Sequence, residues 1–271
     1  MKNYTGERLE TFFFNRASVE HLHRYAIATK YVKDKNVLDI ASGEGYGSNL
    51  LSKYAKFVYG VDIDSTTIET AKQKYQSTNI SFLQGCISEI PLENNSVDVV
   101  VSFETIEHHK HHQRMMDEIK RVLKKGGLLI ISTPDKKVYS DERNYSNPHH
   151  VKELYIEEFE KLLQSSFTNV VLFNQAYSYG NSFVYDFKKN QLVTYSGGFN
   201  GLFEVENKAK FIVAIASDNS FEFDAFSVFD ASSKIKEFED LKLINIYKES
   251  YSYRIGQFVL LPYNLIKKML K

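Results

Sequence analysis

The sequence has a single cysteine, no net charge and no long apolar run. Cys86 has no partner within the 271 residues, which excludes a small disulfide-stapled scaffold. The 34 Lys and Arg residues balance 34 Asp and Glu residues, which argues against a protein that binds by neutralising many backbone phosphates. No run approaches the ~20 apolar residues that cross a bilayer, and the N-terminus lacks an apolar signal core. We expect a cytoplasmic protein with no transmembrane segment and no favoured nucleic-acid partner. The sequence does not indicate its oligomeric state.

Short apolar runs alternate with longer amphipathic stretches. The runs are rich in β-branched and aromatic residues, which suit buried strands; they cover residues 37–40, 57–61, 80–83, 97–103 and 128–132. This rhythm predicts repeated βα units and a doubly wound, mostly parallel α/β sheet. Helices are expected over residues 18–31, 115–123 and 155–163, and later strands over 169–173 and 210–217.

The domain is expected to cover residues 1–218, with a C-terminal extension, 219–271, packed on it. An aromatic, glycine-containing segment over about 178–209 predicts a β-rich insertion. Its aromatic residues would suit stacking on sugar rings, although dense aromatics more often belong to a core; they are Tyr177, Tyr179, Phe183, Tyr185, Phe187, Tyr195 and Phe199. Residues 257–271 are apolar and then basic, which favours a docked terminal element over a membrane-surface helix.

A glycine-rich turn directly follows the first predicted strand. Gly43, Gly45 and Gly47 recur at every second position, where small residues let the backbone approach a ligand closely. Asp62 ends the next strand and could accept hydrogen bonds from a ribose diol. The dinucleotide fingerprint would need glycine at position 48, where the chain has Ser48. The turn therefore predicts a nucleotide-like ligand, with a nicotinamide oxidoreductase as the rival.

Residues 36–134 resemble class I S-adenosylmethionine-dependent methyltransferases. The resemblance rests on the Val37-Leu38-Asp39 strand, the glycine turn, the Gly126-Gly127 pair and Ser132-Thr133-Pro134. It implies a seven-stranded Rossmann-like sheet with S-adenosylmethionine as cofactor, bound by Asp39, Ala41, Gly43, Gly45, Asp62, Ile63, Cys86, Ile87 and Phe103. Ala41 stands where the family usually has glycine, and Cys86 where it commonly has an acidic residue. A cofactor-binding module without catalysis is the alternative.

All eight histidines fall into three short clusters, and the middle cluster follows the fourth predicted strand. There, Glu104, Glu107 and His108 lie at i, i+3 and i+4, which places them on one face if a helix begins at this point. Two carboxylates on one turn repel each other unless a cation or proton lies between them. A divalent metal would remove that cost; a solvated helix start is the alternative.

A narrower resemblance concerns this cluster. Residues 104–108 and 150–153 resemble the metal site of methyltransferases that act on the terminal ribose 2′-hydroxyl of small RNAs, and residues 104–108 also resemble quinone-biosynthesis O-methyltransferases. The resemblance implies that Glu104, Glu107, His108 and His150 hold a divalent ion. Mixed nitrogen and oxygen ligands favour Mn²⁺, Fe²⁺, Co²⁺ or Zn²⁺, without excluding Mg²⁺.

The general base is one of the neighbouring histidines in this interpretation. His109 or His149 could take the acceptor proton, or either could support the site or simply be exposed. In a metal-free mechanism His108 itself would be the base. His21 and His23 would belong to a lid over the cofactor or be structural.

Residues 4–165 resemble bacterial methyltransferases encoded with surface-polysaccharide biosynthesis enzymes. The similar segments are 4–8, 21–25, 102–109 and 139–153. This resemblance implies a sugar hydroxyl on a glycan, a lipid-linked oligosaccharide or a nucleotide sugar, with the metal chelating vicinal hydroxyls. An RNA terminal ribose 2′-O-methyltransferase and a metal-free small-molecule methyltransferase are the alternatives. Arg8 or Arg24 could pair with the cofactor carboxylate, or form a surface ion pair.

Overall fold

The computed structural model describes residues 11, 14–188, 192–206 and 208–250. The elements in chain order are α1 (Arg16–Thr29), β1 (Asn36–Ile40), α2 (Tyr46–Ser52), β2 (Phe57–Asp62), α3 (Ser65–Lys74), β3 (Ile80–Gln84), β4 (Val97–Phe103), α4 (His112–Val122), β5 (Leu123–Pro134), α5 (Ile156–Gln164), β6 (Asn169–Ser178), β7 (Asn181–Asp186), β8 (Thr194–Gly198), β9 (Gly201–Val205), β10 (Phe211–Ser217), β11 (Phe226–Asp230) and α6 (Ser232–Glu249). Every strand and helix predicted from the sequence overlaps one of these elements. Residues 4–8, Arg8 among them, and residues 257–271 lie outside the described part of the chain.

The main sheet has nine strands in the order β11-β7-β6-β10-β5-β4-β1-β2-β3. Strands β3, β2, β1, β4 and β5 pair in parallel, and β10 is antiparallel to both β5 and β6. Of the seven strands from β3 to β6 in the sheet, six run in the same direction and β10 runs in the opposite one. This confirms the doubly wound, mostly parallel sheet. The expected strand count was too low, because β7 and β11 extend the β6 edge.

A tight hairpin explains the additional strand β7. Strands β6 and β7 are joined by Tyr179 and Gly180 alone, and both residues have positive φ, 44° and 80°. Two successive positive φ angles characterise the hairpin turns whose twist matches the flanking strands. The segment after residue 178 thus returns directly to the sheet, and β11 then pairs with β7. In the described part of the predicted insertion, only β8 and β9 form a separate sheet, which has two strands.

The aromatic residues of the predicted insertion divide between core and surface. Tyr185 is buried in β7, whereas Tyr179, Tyr195 and Phe199 are largely exposed. The chain separates into two compact units, Met1–Asp230 and Ala231–Lys271. The predicted boundary at residue 218 falls inside the first unit, because β11 belongs to the main sheet. None of the helices in the described part is long and apolar enough to cross a membrane.

Hydrophobic side chains pack on both faces of the sheet. Val99 and Val101 of β4 face α1 and α2 and belong to one core cluster, whereas Val100 between them belongs to a second cluster with Met115 and Phe159 of α4 and α5. This alternation follows from the two-residue period of a strand covered by helices on both sides. The carboxyl ends of the parallel strands therefore meet at one open edge, where such folds bind ligands.

Candidate functional site

The glycine turn between β1 and α2 lies at this edge. Gly43 has φ 53°, and a Cβ atom on it would meet nothing within 4 Å. Gly45 has φ 82°, and its Cβ atom would lie 2.6 Å from the ring of Phe82. Gly43 therefore leaves open space for a ligand, whereas Gly45 is required for close packing and left-handed backbone geometry.

A cavity of about 260 Å³ lies beside the turn. Its lining includes six of the residues that the sequence assigns to cofactor binding, Ala41, Gly43, Asp62, Ile63, Cys86 and Ile87. Asp62 Oδ2 accepts a hydrogen bond from the Gly43 N–H at 2.9 Å, and Asp62 Oδ1 accepts one from the Asp64 N–H at 3.0 Å. One carboxylate thus fixes the turn and also faces the cavity.

The other three expected cofactor residues lie elsewhere. Asp39 is 1% exposed, and its Oδ2 accepts a hydrogen bond from Ser48 Oγ at 2.6 Å while its Oδ1 accepts one from Tyr25 Oη at 3.1 Å. Burial raises the pKa of Asp39 to about 7. Its carboxylate ties α1 and α2 to β1 and does not line the cavity. Gly45 packs against the ring of Phe82. Phe103 lines a second cavity.

That second cavity has a volume of about 610 Å³ and adjoins the first. The two cavities share Ala41, Gly43, Glu104 and His108 in their linings. The larger one is also lined by side chains that come from α1, from the turn after β4, from the segment after β5 and from the start of β10. Among these are His21, Glu107, Tyr139, His150 and Lys210.

Three of the four expected metal ligands converge on the wall of this larger cavity. One donor atom from each of Glu107, His108 and His150 lies within 4.8 Å of the other two. The backbone oxygen of Glu107 accepts hydrogen bonds from the Val151 and Lys152 N–H groups at 2.8 and 3.0 Å. Two main-chain hydrogen bonds therefore hold the segment that carries His150 against the turn that carries the other two side chains.

The hydrogen bonds of the two histidines define the tautomer of each ring when that ring is neutral. His108 Nδ1 lies 2.9 Å from the backbone oxygen of His149, and His150 Nδ1 lies 2.5 Å from Glu153 Oε1. Carbonyl and carboxylate oxygens only accept, so each Nδ1 donates its proton. Both rings then keep a lone pair on Nε2, the arrangement in which an imidazole binds a metal while its other nitrogen is held by an acceptor.

Glu104 lies outside this group of three. No helix begins at Glu104, because its φ is 51° and only a short 3₁₀ turn follows, over Ile106–His108. Its Oε1 accepts a hydrogen bond from Ser132 Oγ at 2.6 Å and lies 3.2 Å from Arg24 Nη1. The expected shared helical face is therefore wrong.

Arg24 forms an ion pair, but a fully buried one. Its side chain is 0% exposed, and Nε donates a hydrogen bond to Gln175 Oε1 at 2.7 Å while Nη1 faces Glu104. The expected surface pair is wrong, and Arg24 does not line either cavity. The positive charge of Arg24 relieves part of the repulsion between Glu104 and Glu107. From the sequence alone, a metal ion is expected to relieve this repulsion.

The remaining histidines have different surroundings. His109 lines the smaller cavity, and its Nε2 is buried with no hydrogen-bond partner in the described part of the chain. The His149 side chain is exposed, and His149 contributes its backbone oxygen to His108. His21 lines the larger cavity with its Nδ1 2.9 Å from Tyr46 Oη. His23 is buried between Ser182 Oγ and Ser227 Oγ, and burial lowers its pKa to about 4, so it is structural.

Sequence reasoning did not assign roles to three residues that shape the site. The Tyr139 ring stacks on His150 at 5.1 Å, and Glu153 holds the Nδ1 proton of His150. Both lie in the 139–153 segment, whose density of tyrosine, asparagine and histidine was the available signal. Lys210 directly precedes β10 and belongs to no recognisable motif.

Comparison with known proteins supports the fold. Residues 38–131 match the family described as a methyltransferase domain. The chain is 35% identical over 172 residues to a probable S-adenosylmethionine-dependent methyltransferase of Mycolicibacterium smegmatis, covering 60% of this chain and 63% of that protein. It is 28% identical over 137 residues to the phthiotriol/phenolphthiotriol dimycocerosates methyltransferase of Mycobacterium leprae, covering 49% and 50%. The chain thus spans less than two thirds of the length of these relatives.

Solved structures share the architecture at low sequence identity. The YcgJ protein of Bacillus subtilis is 17% identical with a TM-score of 0.55, over 74% of this chain and 100% of that one. A Thermotoga maritima protein described as a methyltransferase, possibly acting on histamine nitrogen, is 18% identical with a TM-score of 0.54, over 74% and 92%. The chain has the Rossmann-like fold of S-adenosylmethionine-dependent methyltransferases, extended by additional strands.

Ala41 occupies a backbone conformation that favours glycine. Its φ is 61°, and the left-handed region costs a residue with a Cβ atom about 1–2 kcal/mol. We expect Ala41→Gly to raise the free energy of unfolding by up to about 1 kcal/mol, after the entropy cost of glycine is subtracted. Ala26→Gly, at an exposed position inside α1, is expected to lower it by about 1 kcal/mol. Urea denaturation measures both; a loss of stability in both variants would contradict the assignment of strain to Ala41.

Proposed function

We propose that the chain transfers the methyl group of S-adenosylmethionine to a sugar hydroxyl, with a divalent metal ion chelating two vicinal hydroxyls of the acceptor. The acceptor belongs to a bacterial surface glycan or its precursor. One observation carries the proposal: Glu107, His108 and His150 converge where the cavity beside the glycine turn meets a larger cavity. A cofactor in the first cavity and a sugar in the second would meet beside these three side chains.

The smaller cavity suits S-adenosylmethionine. The Asp62 carboxylate would accept hydrogen bonds from the ribose hydroxyls, because it faces the cavity at the end of β2. Ile63 and Ile87 would pack on the adenine ring, and the open backbone at Gly43 would adjoin the methionine part. The relatives named for S-adenosylmethionine-dependent methyl transfer support this assignment.

The donor set suits a divalent transition metal. Glu107 supplies a carboxylate that is 1% exposed, and the two histidines supply Nε2 lone pairs. Such a metal, when bound, orients a sugar hydroxyl and lowers its pKa, which makes it a better nucleophile. Glu153 holds the His150 ring in the required tautomer, and Tyr139 stacks on that ring.

His109 and His149 are the two candidates for accepting the proton of the acceptor hydroxyl. The His109 side chain lines the cofactor cavity with its Nε2 buried, and the His149 side chain is exposed. A metal-free mechanism with His108 as base remains the principal alternative, because the same Nε2 lone pair that would bind a metal could accept a proton.

Transfer of radiolabelled methyl groups to paired acceptors tests this function. The metal-stripped protein would be assayed with and without Mn²⁺ on nucleotide sugars and methyl glycosides that carry vicinal hydroxyls, each beside its deoxy analogue, and on short RNA. We expect transfer only to diol-bearing sugars, only with metal, and sensitive to chelator. Transfer that persists with chelator would establish the histidine-base alternative. Transfer only to RNA ends would contradict the glycan acceptor while leaving the metal mechanism in place.

A further inference from the structure

Lys210 is a half-buried cation in the wall of the larger cavity. Its Nζ lies 4.5 Å from the centroid of the Tyr139 ring and 5.1 Å from that of Phe211. Over the described ranges, no carboxylate forms an ion pair with it. Burial lowers the pKa of Lys210, and the nearby guanidinium groups of Arg143 and Arg16 also lower it, against the opposing charge of Glu20.

The carboxylates close to Lys210 already pair with arginines. Glu20 Oε1 lies 2.9 Å from Arg16 Nε, and Glu104 Oε1 lies 3.2 Å from Arg24 Nη1. Each of these acids is thereby paired with a guanidinium group, and within the described ranges neither forms an ion pair with Lys210. A partly desolvated cation without a counter-ion costs free energy, and a bound anion would offset that cost.

Arg143 adds a second uncompensated cation around the same tyrosine. Its Cζ lies 5.6 Å from the centroid of the Tyr139 ring and 5.1 Å from that of Tyr145, and Nη1 donates a hydrogen bond to the Tyr139 backbone oxygen. It forms no ion pair within the part of the chain that the structure describes. Two positive charges therefore lie beside the ring of Tyr139: Lys210, which lines the larger cavity with Tyr139, and Arg143, whose side chain is exposed.

Tyr139 connects this positive region to the proposed metal centre. Its ring lies 5.1 Å from the His150 ring and 4.5 Å from Lys210 Nζ. Because both distances are measured to the centre of the Tyr139 ring, Lys210 Nζ lies within about 10 Å of the centre of the His150 ring. A sugar that carries a phosphate or pyrophosphate is long enough to place a diol near His150 and an anion near Lys210.

We propose that Lys210, assisted by Arg143, binds a phosphate group of the acceptor, so that the methylated sugar is one attached directly to a phosphate or pyrophosphate. This inference rests on the proposed function and names its substrate class. Two sources share this chemistry, a nucleoside diphosphate sugar and a sugar linked through pyrophosphate to a lipid. A neutral polymer already released from its carrier would lack the group that Lys210 recognises.

Pyrophosphate binding in the absence of metal tests the proposal. The protein saturated with S-adenosylhomocysteine would be titrated with inorganic pyrophosphate by calorimetry, in buffer that contains chelator. We expect Lys210→Met, which keeps the length of the side chain, to weaken binding about tenfold or more, as expected for a charge-assisted hydrogen bond. Lys208→Met is the matched control, because Lys208 is paired with Glu142 and Glu206; it should bind within about twofold of the unmodified protein.

The outcomes separate this inference from the proposed function. No pyrophosphate binding, or equal binding by Lys210→Met, would overturn the inference, provided that S-adenosylhomocysteine still binds the variant normally. Because the titration uses neither metal nor turnover, its failure would leave metal-dependent transfer standing, and failure of transfer would leave a measured phosphate site. Uridine diphosphate and farnesyl diphosphate distinguish the sources: tighter binding of the first supports a nucleotide sugar, and tighter binding of the second supports a lipid-linked sugar.

Discussion

Glu107→Gln is expected to weaken Mn²⁺ binding by at least about 100-fold, since loss of groups that only orient metal ligands already costs about 10–100-fold. The side chain is 1% exposed and lies with His108 and His150. Glutamine preserves its volume but removes the charge that balances a divalent ion. Electron paramagnetic resonance of free Mn²⁺, titrated with metal-stripped protein and saturating S-adenosylhomocysteine, measures the affinity.

Two further variants complete this experiment. Glu153→Gln removes the carboxylate that holds the His150 Nδ1 proton, so we expect an intermediate loss of Mn²⁺ affinity of about 10-fold or more. His111→Ala is the matched histidine control, since His111 is exposed and is not one of the three converging side chains. Loss of Mn²⁺ binding in His111→Ala equal to that in Glu107→Gln would place the metal elsewhere.

Asp62→Ala is expected to weaken S-adenosylhomocysteine binding by about 100-fold or more, because each hydrogen bond to a charged group contributes about 1.5–3 kcal/mol. Without the carboxylate, the ribose hydroxyls would lose their proposed acceptor. The Gly43 N–H would also lose the oxygen that accepts its hydrogen bond at 2.9 Å. Calorimetric titration with S-adenosylhomocysteine gives the affinity directly.

Asp64→Ala is the control for this prediction. Asp64 begins α3, where its Oδ1 accepts hydrogen bonds from the Thr66 and Thr67 N–H groups, and it does not line the cofactor cavity. Its loss should lower stability by about 1 kcal/mol with little effect on affinity. Unchanged affinity in Asp62→Ala would contradict the assigned ribose contact.

Local sequence patterns predict the part of the site that one βα unit builds. The turn containing Gly43 and the acid at the end of β2 are close in sequence, and both line the smaller cavity. Asp39 belongs to the same motif, yet it faces inward. Its hydrogen-bond partners include Tyr25 of α1, a contact from outside the motif that no spacing within the motif reveals.

The metal cluster depends on contacts between distant segments. Spacing places Glu107 beside His108, but His150 reaches them through main-chain hydrogen bonds from Val151 and Lys152 to Glu107. The sequence suggested His150 only through resemblance.

The role of Glu104 also depends on a distant element. The separation of Glu104 from the three converging side chains depends on its ion pair with Arg24, which lies on α1.

Strand β7 at the sheet edge follows from a turn that places Tyr179 at positive φ. This conformation is rare for a bulky residue.

Anomalous X-ray diffraction at the manganese edge tests the central claim most directly. Crystals grown with Mn²⁺ and S-adenosylhomocysteine are expected to show one strong anomalous peak at about 2–2.3 Å from Glu107, His108 Nε2 and His150 Nε2, with the cofactor product in the cavity lined by Asp62. A peak bound elsewhere on the protein, or no peak with S-adenosylhomocysteine in place, would contradict a metal-dependent methyl transfer at this site.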